Sequence, residues 1–358
     1  MAEPQVVLFG ATGYTGRLTA AALGRQEVDF AVVGRDAAKL RDLATRTGAS
    51  DTRIASVEDP SSVRQALKGA RVLVTCVGPF GKLGDVAVSA ALDTGTHYID
   101  SAGEGPFITT LIAKDADAHA AGIAMVPAMG FDEVPADVAA TLAVGGLDHP
   151  DLILTYDLPR AGSGGTVRST LPILGRPGLW WERGGPRSIR AGAEGRWAPL
   201  PPPRGPRYTT AIPLGEAQLG PLHLDLASCR TFVVSRKPEA ALMRMGALPL
   251  SAIAGLPLVG GALELVIPSG SGPDAAQREA PWTILAEARG ASGWRNVALR
   301  GVDVYGLTAE TLAAGAVAMA ADGFAGRGVL SPVGAFGVDH LGGILERWGA
   351  TTQIWTSD

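Results

Sequence analysis

Cysteine is almost missing from this chain of 358 residues: there are two, Cys76 and Cys229, far apart. Neither has a Cys or His at metal-ligand spacing nearby. A disulfide scaffold and a structural zinc site are therefore disfavoured, no metal ligands are expected, and a reducing compartment fits. A basic excess is missing too. Lys and Arg number 31 against 35 Asp and Glu, for a net charge of −4. Nothing is left over to neutralise a phosphate backbone, so no nucleic-acid partner is expected. No run of about 18 apolar residues goes unbroken. Ala240 to Ile267 comes nearest, but Gly246, Pro249, Gly255, Pro257, Gly260 and Gly261 interrupt it. It reads as an apolar lid, an oligomer interface or a shallow membrane contact rather than a transmembrane span. The opening Met1-Ala-Glu-Pro has no basic region followed by a long apolar one. No secretory signal is expected, and a cytoplasmic setting is.

What is present is apolar content of 46%, with 48 Gly and 25 Pro. The length and apolar share suit two domains with well-filled cores. Up to about residue 130, short β-branched runs alternate with Ala/Leu-rich segments of helical spacing. The strands expected are Gln5–Phe9, Phe30–Val33, Arg53–Ala55, Val72–Cys76, His97–Asp100 and Ile123–Val126. The helices expected are Thr15–Arg25, Ala37–Thr47, Ser61–Leu67, Asp85–Thr94 and Pro106–Ala121. That alternation predicts βαβ units and a parallel sheet. Asp59-Pro60 reads as a helix entry, and Gly48, Gly95 and Gly122 as helix ends.

After about residue 146 the pattern changes. Asp151–Leu158, Thr231–Ser235, Trp282–Ala288 and Asn296–Gly301 read as strands of a mixed α+β domain. Residues 172 to 213, rich in Gly, Pro, Arg and Trp, read as an ordered but irregular excursion anchored by Trp180, Trp181 and Trp197. Thr308–Ala321 and Asp339–Trp348 close the chain as helices. The first of these, built of small residues, reads as core packing or a dimer face. The fold class is therefore α/β: a Rossmann-type doubly wound parallel sheet with an inserted α+β domain. Its expected bounds are 1–130 for nucleotide binding, 131–302 for substrate and oligomerisation, and 303–358 as a helical segment returning to the first domain.

Gly10-Ala11-Thr12-Gly13-Tyr14-Thr15-Gly16 follows the first strand and opens the first helix. Gly10 permits the tight turn, Gly13 lets backbone approach a pyrophosphate, and Gly16 allows close helix packing. The helix N-terminus adds N–H donors and the positive end of a dipole. The second strand ends Val33-Gly34-Arg35-Asp36. A cation where an acid would bind a ribose 2′-hydroxyl favours a 2′-phosphate, hence NADP(H) over NAD(H). Asp36 is expected to cap the next helix. The fourth strand runs into Cys76-Val77-Gly78-Pro79-Phe80, a turn expected to face the cofactor. A strand thiol such as Cys76 is usually inert.

These residues, with Val77-Gly-Pro-Phe-Gly81, Tyr98-Ile-Asp-Ser-Ala-Gly-Glu104, Gly130-Phe-Asp-Glu-Val-Pro-Ala-Asp137, Gly164-Gly-Thr166 and Asp303-Val-Tyr-Gly-Leu-Thr308, resemble the saccharopine dehydrogenase-like oxidoreductases, in particular the trans-acting enoyl reductase branch. The resemblance implies a nicotinamide-dependent reductase whose nucleotide-binding domain is interrupted by a substrate domain. Branches of that family reduce C=N bonds of amine–aldehyde adducts or C=C bonds of polyketides, and some have no settled substrate.

Hydride transfer needs orientation, stabilisation of developing charge and a proton. No Tyr-x-x-x-Lys pair is present. The acids placed after strands are Tyr98 and Asp100, which share a strand face, with Glu104 and Asp132. Water is an equal alternative as proton source. Gly103, Glu104, Gly165, Thr166 and Tyr305 are the candidate substrate contacts. The expectation is an NADPH-dependent reductase of an activated C=C bond in a hydrophobic small molecule, as a homodimer. An imine reductase and a non-catalytic dinucleotide-binding protein remain open beside it.

Overall fold

In the computed structural model the described residues are 4–26, 28–131, 133–159, 177–236 and 272–357. They form two compact units. The first comprises residues 1–134 and 304–337, the second 135–303 and 338–358.

The first unit begins with β1 (Val6–Phe9), α1 (Tyr14–Arg25), β2 (Phe30–Gly34), α2 (Ala37–Thr47), β3 (Asp51–Ile54) and α3 (Pro60–Ala66). Next come β4 (Val72–Thr75), α4 (Phe80–Thr94), β5 (His97–Asp100), α5 (Gly105–Ile112), α6 (Asp115–Ala121) and β6 (Ala124–Val126). The helix α7 (Glu133–Val144) leads out of this unit.

The second unit adds β7 (Asp151–Asp157), β8 (Gly178–Glu182), β9 (Gly185–Ile189), β10 (Gly195–Ala198), β11 (Arg207–Ala211), the short α8 (Glu216–Leu219) and β12 (Ser228–Val234). It continues through α9 (Ala275–Arg278), β13 (Trp282–Gly290) and β14 (Gly293–Gly301). The chain then returns to the first unit with α10 (Val304–Ala320), β15 (Gly328–Val329) and α11 (Pro332–Phe336). It ends in the second with α12 (Val338–Arg347) and β16 (Thr351–Thr356).

The seven strands of the first sheet are parallel and ordered β3-β2-β1-β4-β5-β6-β15. This is the doubly wound order, and the sequence explains it. β1 and β2 are apolar runs, β4 is apolar up to Thr75, and all three are buried at every position, as strands covered on both faces must be. The side chain of Asp36 caps α2 by accepting the N–H groups of Ala38 and Lys39, and Asp59 caps α3 in the same way. Gly48, Gly95 and Gly122 follow α2, α4 and α6 as expected.

The expected helix Pro106–Ala121 is two helices, α5 and α6, parted at Ala113-Lys114. The small-residue helix α10 starts earlier, at Val304, and is mostly buried in the first unit. Its lack of bulky side chains therefore serves core packing. Gly315, where a Cβ would lie 2.7 Å from Ile99, shows how closely it approaches the sheet.

Two expectations for the second unit are corrected. Residues 172–213 are not irregular where they are described: β8 to β11 lie there. Arg183 and Gly184, both at positive φ, make the two-residue turn between β8 and β9. Trp180 is an anchor, fully buried against Phe232, and Trp181 is half-buried. Trp197 is not: it is 60% exposed. The strand β16, absent from the sequence reading, pairs antiparallel with β14. Residues 303–358 thus do not return to the first domain as one piece; 304–337 do, and 338–358 join the second unit. Among the described residues no helix is long and apolar enough to cross a membrane.

Candidate active site

The carboxyl ends of β1, β2, β4, β5 and β6 carry the residues that the sequence singled out. Gly10 sits at φ +81, and a Cβ there would lie 2.8 Å from Val77 Cγ2 and 3.1 Å from the Cys76 carbonyl carbon. The β1–α1 loop and the β4–α4 turn are therefore in direct contact, and only glycine fits between them. A Cβ on Gly13 would lie 3.2 Å from Gly10 O, and one on Gly16 would fall 2.3 Å from it. Gly13 is the N-cap of α1 and supplies no side-chain cap. The backbone carbonyls of Thr12 and Thr15 accept from Arg17 Nη1 and Thr19 Oγ1. These close approaches describe a cradle that any side chain would fill, and they fit a dinucleotide pyrophosphate. Arg35 follows β2, is exposed, and among the described residues makes no hydrogen bond or ion pair.

The β4–α4 turn has Gly78 exposed and Phe80 buried against Phe107. Burial pushes the Cys76 thiol up to about 12, which favours the protonated form although the residue is only half-buried.

Glu104, a candidate substrate contact, is tied to the β4–α4 turn. It is 7% exposed. Its Oε1 accepts the Phe80 N–H and its Oε2 the Gly81 N–H, both at 2.8 Å. It is the N-cap residue of α5, yet its side chain caps α4. Gly103 beside it is half-buried.

Tyr98 and Asp100 do share a face of β5, and they bond to each other: Tyr98 Oη donates to Asp100 Oδ2 at 2.6 Å. Asp100 Oδ1 accepts the N–H groups of Ala102 and Ala128 at 2.8 Å. Both side chains are fully buried. Burial raises Asp100 to about 6, against the pull of its three donors, and raises Tyr98 well above the usual tyrosine range. Through its bond to the Ala128 N–H, the pair pins the loop after β6. Ala128 is held there at φ +61, a conformation rare for a residue with a Cβ.

Tyr305, a candidate substrate contact, is buried at the start of α10. Its ring meets that of Tyr14, edge to face, with centroids 5.1 Å apart. Sequence reasoning missed Thr308 and Thr311. Thr308 Oγ1 accepts the Phe131 N–H and Thr311 Oγ1 donates to Met129 O, both at 2.9 Å. Their only signal was helical spacing within an apolar segment. Asp132, Gly165, Thr166 and the apolar run Ala240–Ile267 lie outside the described residues. Among the described residues no group of His, Cys, Asp and Glu is placed to hold a metal ion.

Comparison with known proteins agrees with this geometry. Residues 6–126 match the family model described as the saccharopine dehydrogenase NADP binding domain. Among curated proteins, a trans-acting enoyl reductase of Mycobacterium ulcerans is 33% identical over 180 residues, covering 46% of this chain and 43% of that protein. A lipid droplet localized protein of Caenorhabditis elegans is 31% identical over 151 residues, covering 38% and 35%. The matched stretch thus spans less than half the length of these relatives. The solved saccharopine dehydrogenase (L-Glu forming) of Saccharomyces cerevisiae superposes with a TM-score of 0.64 at 14% identity, covering 99% of this chain and all of that one. That likeness is one of fold.

Proposed function

We propose that the protein is an NADPH-dependent reductase that delivers hydride to an activated, enoyl-type C=C bond of a hydrophobic small molecule. The observation that carries this reading is the cradle at Gly10, Gly13 and Gly16 with the cation of Arg35 at the end of β2. The name borne by the mycobacterial relative supports the choice of bond. Bound there, NADPH supplies a hydride to an electrophilic carbon.

The chain's own residues do the rest. The α1 N-terminus and the glycine turn receive the pyrophosphate. Arg35 offers a bidentate donor fork to the 2′-phosphate. The Val77–Phe80 turn, fixed by Glu104, borders the reacting end. Tyr98 and Asp100 keep the neighbouring loops in place, and the proton that completes reduction comes from solvent in this reading. The apolar composition of the run Ala240–Ile267 suits a hydrophobic substrate. A homodimer in the cytoplasm completes the proposal.

The test is NADPH consumption by the full chain across a panel of enones and enoyl thioesters, with aldehyde–amine pairs alongside. Turnover of the enones without any amine supports the reading. Turnover only with an amine present turns it into an imine reductase, and turnover of nothing leaves a dinucleotide-binding protein. Light scattering after gel filtration tests the dimer.

A further inference from the structure

α10 returns to the nucleotide-binding unit only after the long second unit has been traversed, and its first turn brings Tyr305 to the first residue of α1. Tyr305 is 8% exposed. Its ring stands at 90° to that of Tyr14 with centroids 5.1 Å apart, the arrangement that aromatic quadrupoles favour. Tyr14 directly follows Gly13, the N-cap on which the turn pivots. Whatever holds the Tyr14 side chain therefore holds the turn that receives the pyrophosphate.

The platform under Tyr305 is secured without it. Thr308 and Thr311 tie α10 to Phe131 and Met129. Glu310 accepts from Arg25 at 2.9 Å and from Gln26 at 3.1 Å, at the far end of α1. These bonds hold α10 in place independently of the Tyr305 ring, whose loss would take from Tyr14 its edge-to-face neighbour. A loop or turn left loose in the free protein must be ordered at the moment of binding, and that cost appears as weaker affinity.

We propose that Tyr305 is a positioning residue for NADP(H), acting through Tyr14 to hold the first turn of α1 in its pyrophosphate-receiving conformation. The proposal rests on the cofactor assignment and not on the nature of the reduced bond.

The experiment is a double-mutant cycle on the full chain, read as the Kd for NADPH from cofactor fluorescence, with thermal unfolding of each variant recorded in parallel. Tyr14→Ala and Tyr305→Ala are each expected to raise Kd about two- to tenfold, the range of an edge-to-face pair. The double variant is expected to bind no more weakly than the weaker single one, because both remove the same contact. Tyr305→Phe keeps the ring and stays within about twofold of native. Tyr305→Leu keeps bulk but not the ring, and is read in place of Tyr305→Ala if that variant does not fold. Native affinity in Tyr305→Leu, losses that multiply in the double variant, or a Tyr305→Phe loss equal to that of Tyr305→Ala would each overturn the proposal. Failure of the native chain to bind NADPH overturns it together with the cofactor assignment. Failure to turn over enones bears only on the reaction proposed above.

Discussion

Glu104 holds the N–H of Phe80 with one carboxylate oxygen, 24 residues away in sequence, and that of Gly81 with the other. A charged acceptor at a helix N-terminus gains from both hydrogen bonds and the dipole. Glu104→Ala would leave two donors stranded and is expected to cost about 3 kcal/mol. Glu104→Gln keeps one acceptor and should cost about half of that. Urea unfolding measures both, and native stability in Glu104→Ala would remove the capping role.

Asp100 gives the fold a pH dependence whose sign follows from its burial. Its carboxyl is raised from 3.8 to about 6 in the folded chain. The folded state therefore takes up this proton more readily than the unfolded one. The resulting stabilisation is complete below pH 4 and is lost as pH rises through about 6. At about 1.36 kcal/mol per pKa unit, the loss is about 3 kcal/mol. Asp100→Asn can still accept from Ala102 and Ala128 while facing Tyr98 with its amide. Unfolding free energies from urea titrations between pH 4 and pH 7 should fall in the native chain by about this amount beyond any change in the Asn variant.

Arg35 should tell the two nicotinamide cofactors apart. Arg35→Ala is expected to raise the Kd for NADPH about tenfold or more, the worth of a charge-assisted contact, while NADH binding changes less than about twofold. Equal losses for both cofactors would end the 2′-phosphate assignment.

Two glycines make a paired test of the cradle. A Cβ on Gly16 would fall 2.3 Å from Gly10 O, whereas one on Gly34 meets nothing closer than 3.6 Å. Gly16→Ala should lower stability by about 1–3 kcal/mol and abolish measurable NADPH binding. Gly34→Ala should unfold with the native midpoint. Melting curves with and without NADPH separate the two.

Neither thiol should react in the folded chain. Burial pushes Cys76 up to about 12 and Cys229 higher still. Iodoacetamide at pH 8 is expected to label both only once denaturant is added. Labelling of Cys76 in the native protein would reopen a chemical role for it.

The nucleotide-binding half was legible because its signals are local. Unbroken apolar runs, Asp36 and Asp59 at helix entries and glycine at helix ends each act within a few residues. The roles of Tyr98, Asp100 and Glu104 were less legible. Period-two spacing put Tyr98 and Asp100 on one face, but it carries no information about depth. Only the fold shows that Ala128, brought over by β6, completes the bonding of Asp100. Glu104 preceded a helix and was read with the turn beside it, whereas its carboxylate serves α4. β8 to β11 were hidden because Gly and Pro set turns between short strands as readily as they break structure. β16 is a short polar strand whose place is decided by β14, far away in sequence.

The two units are interleaved along the chain, and this bears on how the protein is made. When residue 134 leaves the ribosome, the first sheet still lacks β15, the neighbour of β6, and α10, whose threonines tie down Met129 and Phe131. Those pieces come only with residues 304–337, after nearly all of the second unit. That unit waits in turn for β16, which follows residues 304–337 in the chain. Neither unit can mature ahead of the other in the usual N-to-C order of domains. An excised fragment 1–134 would expose the β6 edge, and a nascent chain stalled before residue 304 should be held by chaperones with that edge unpaired.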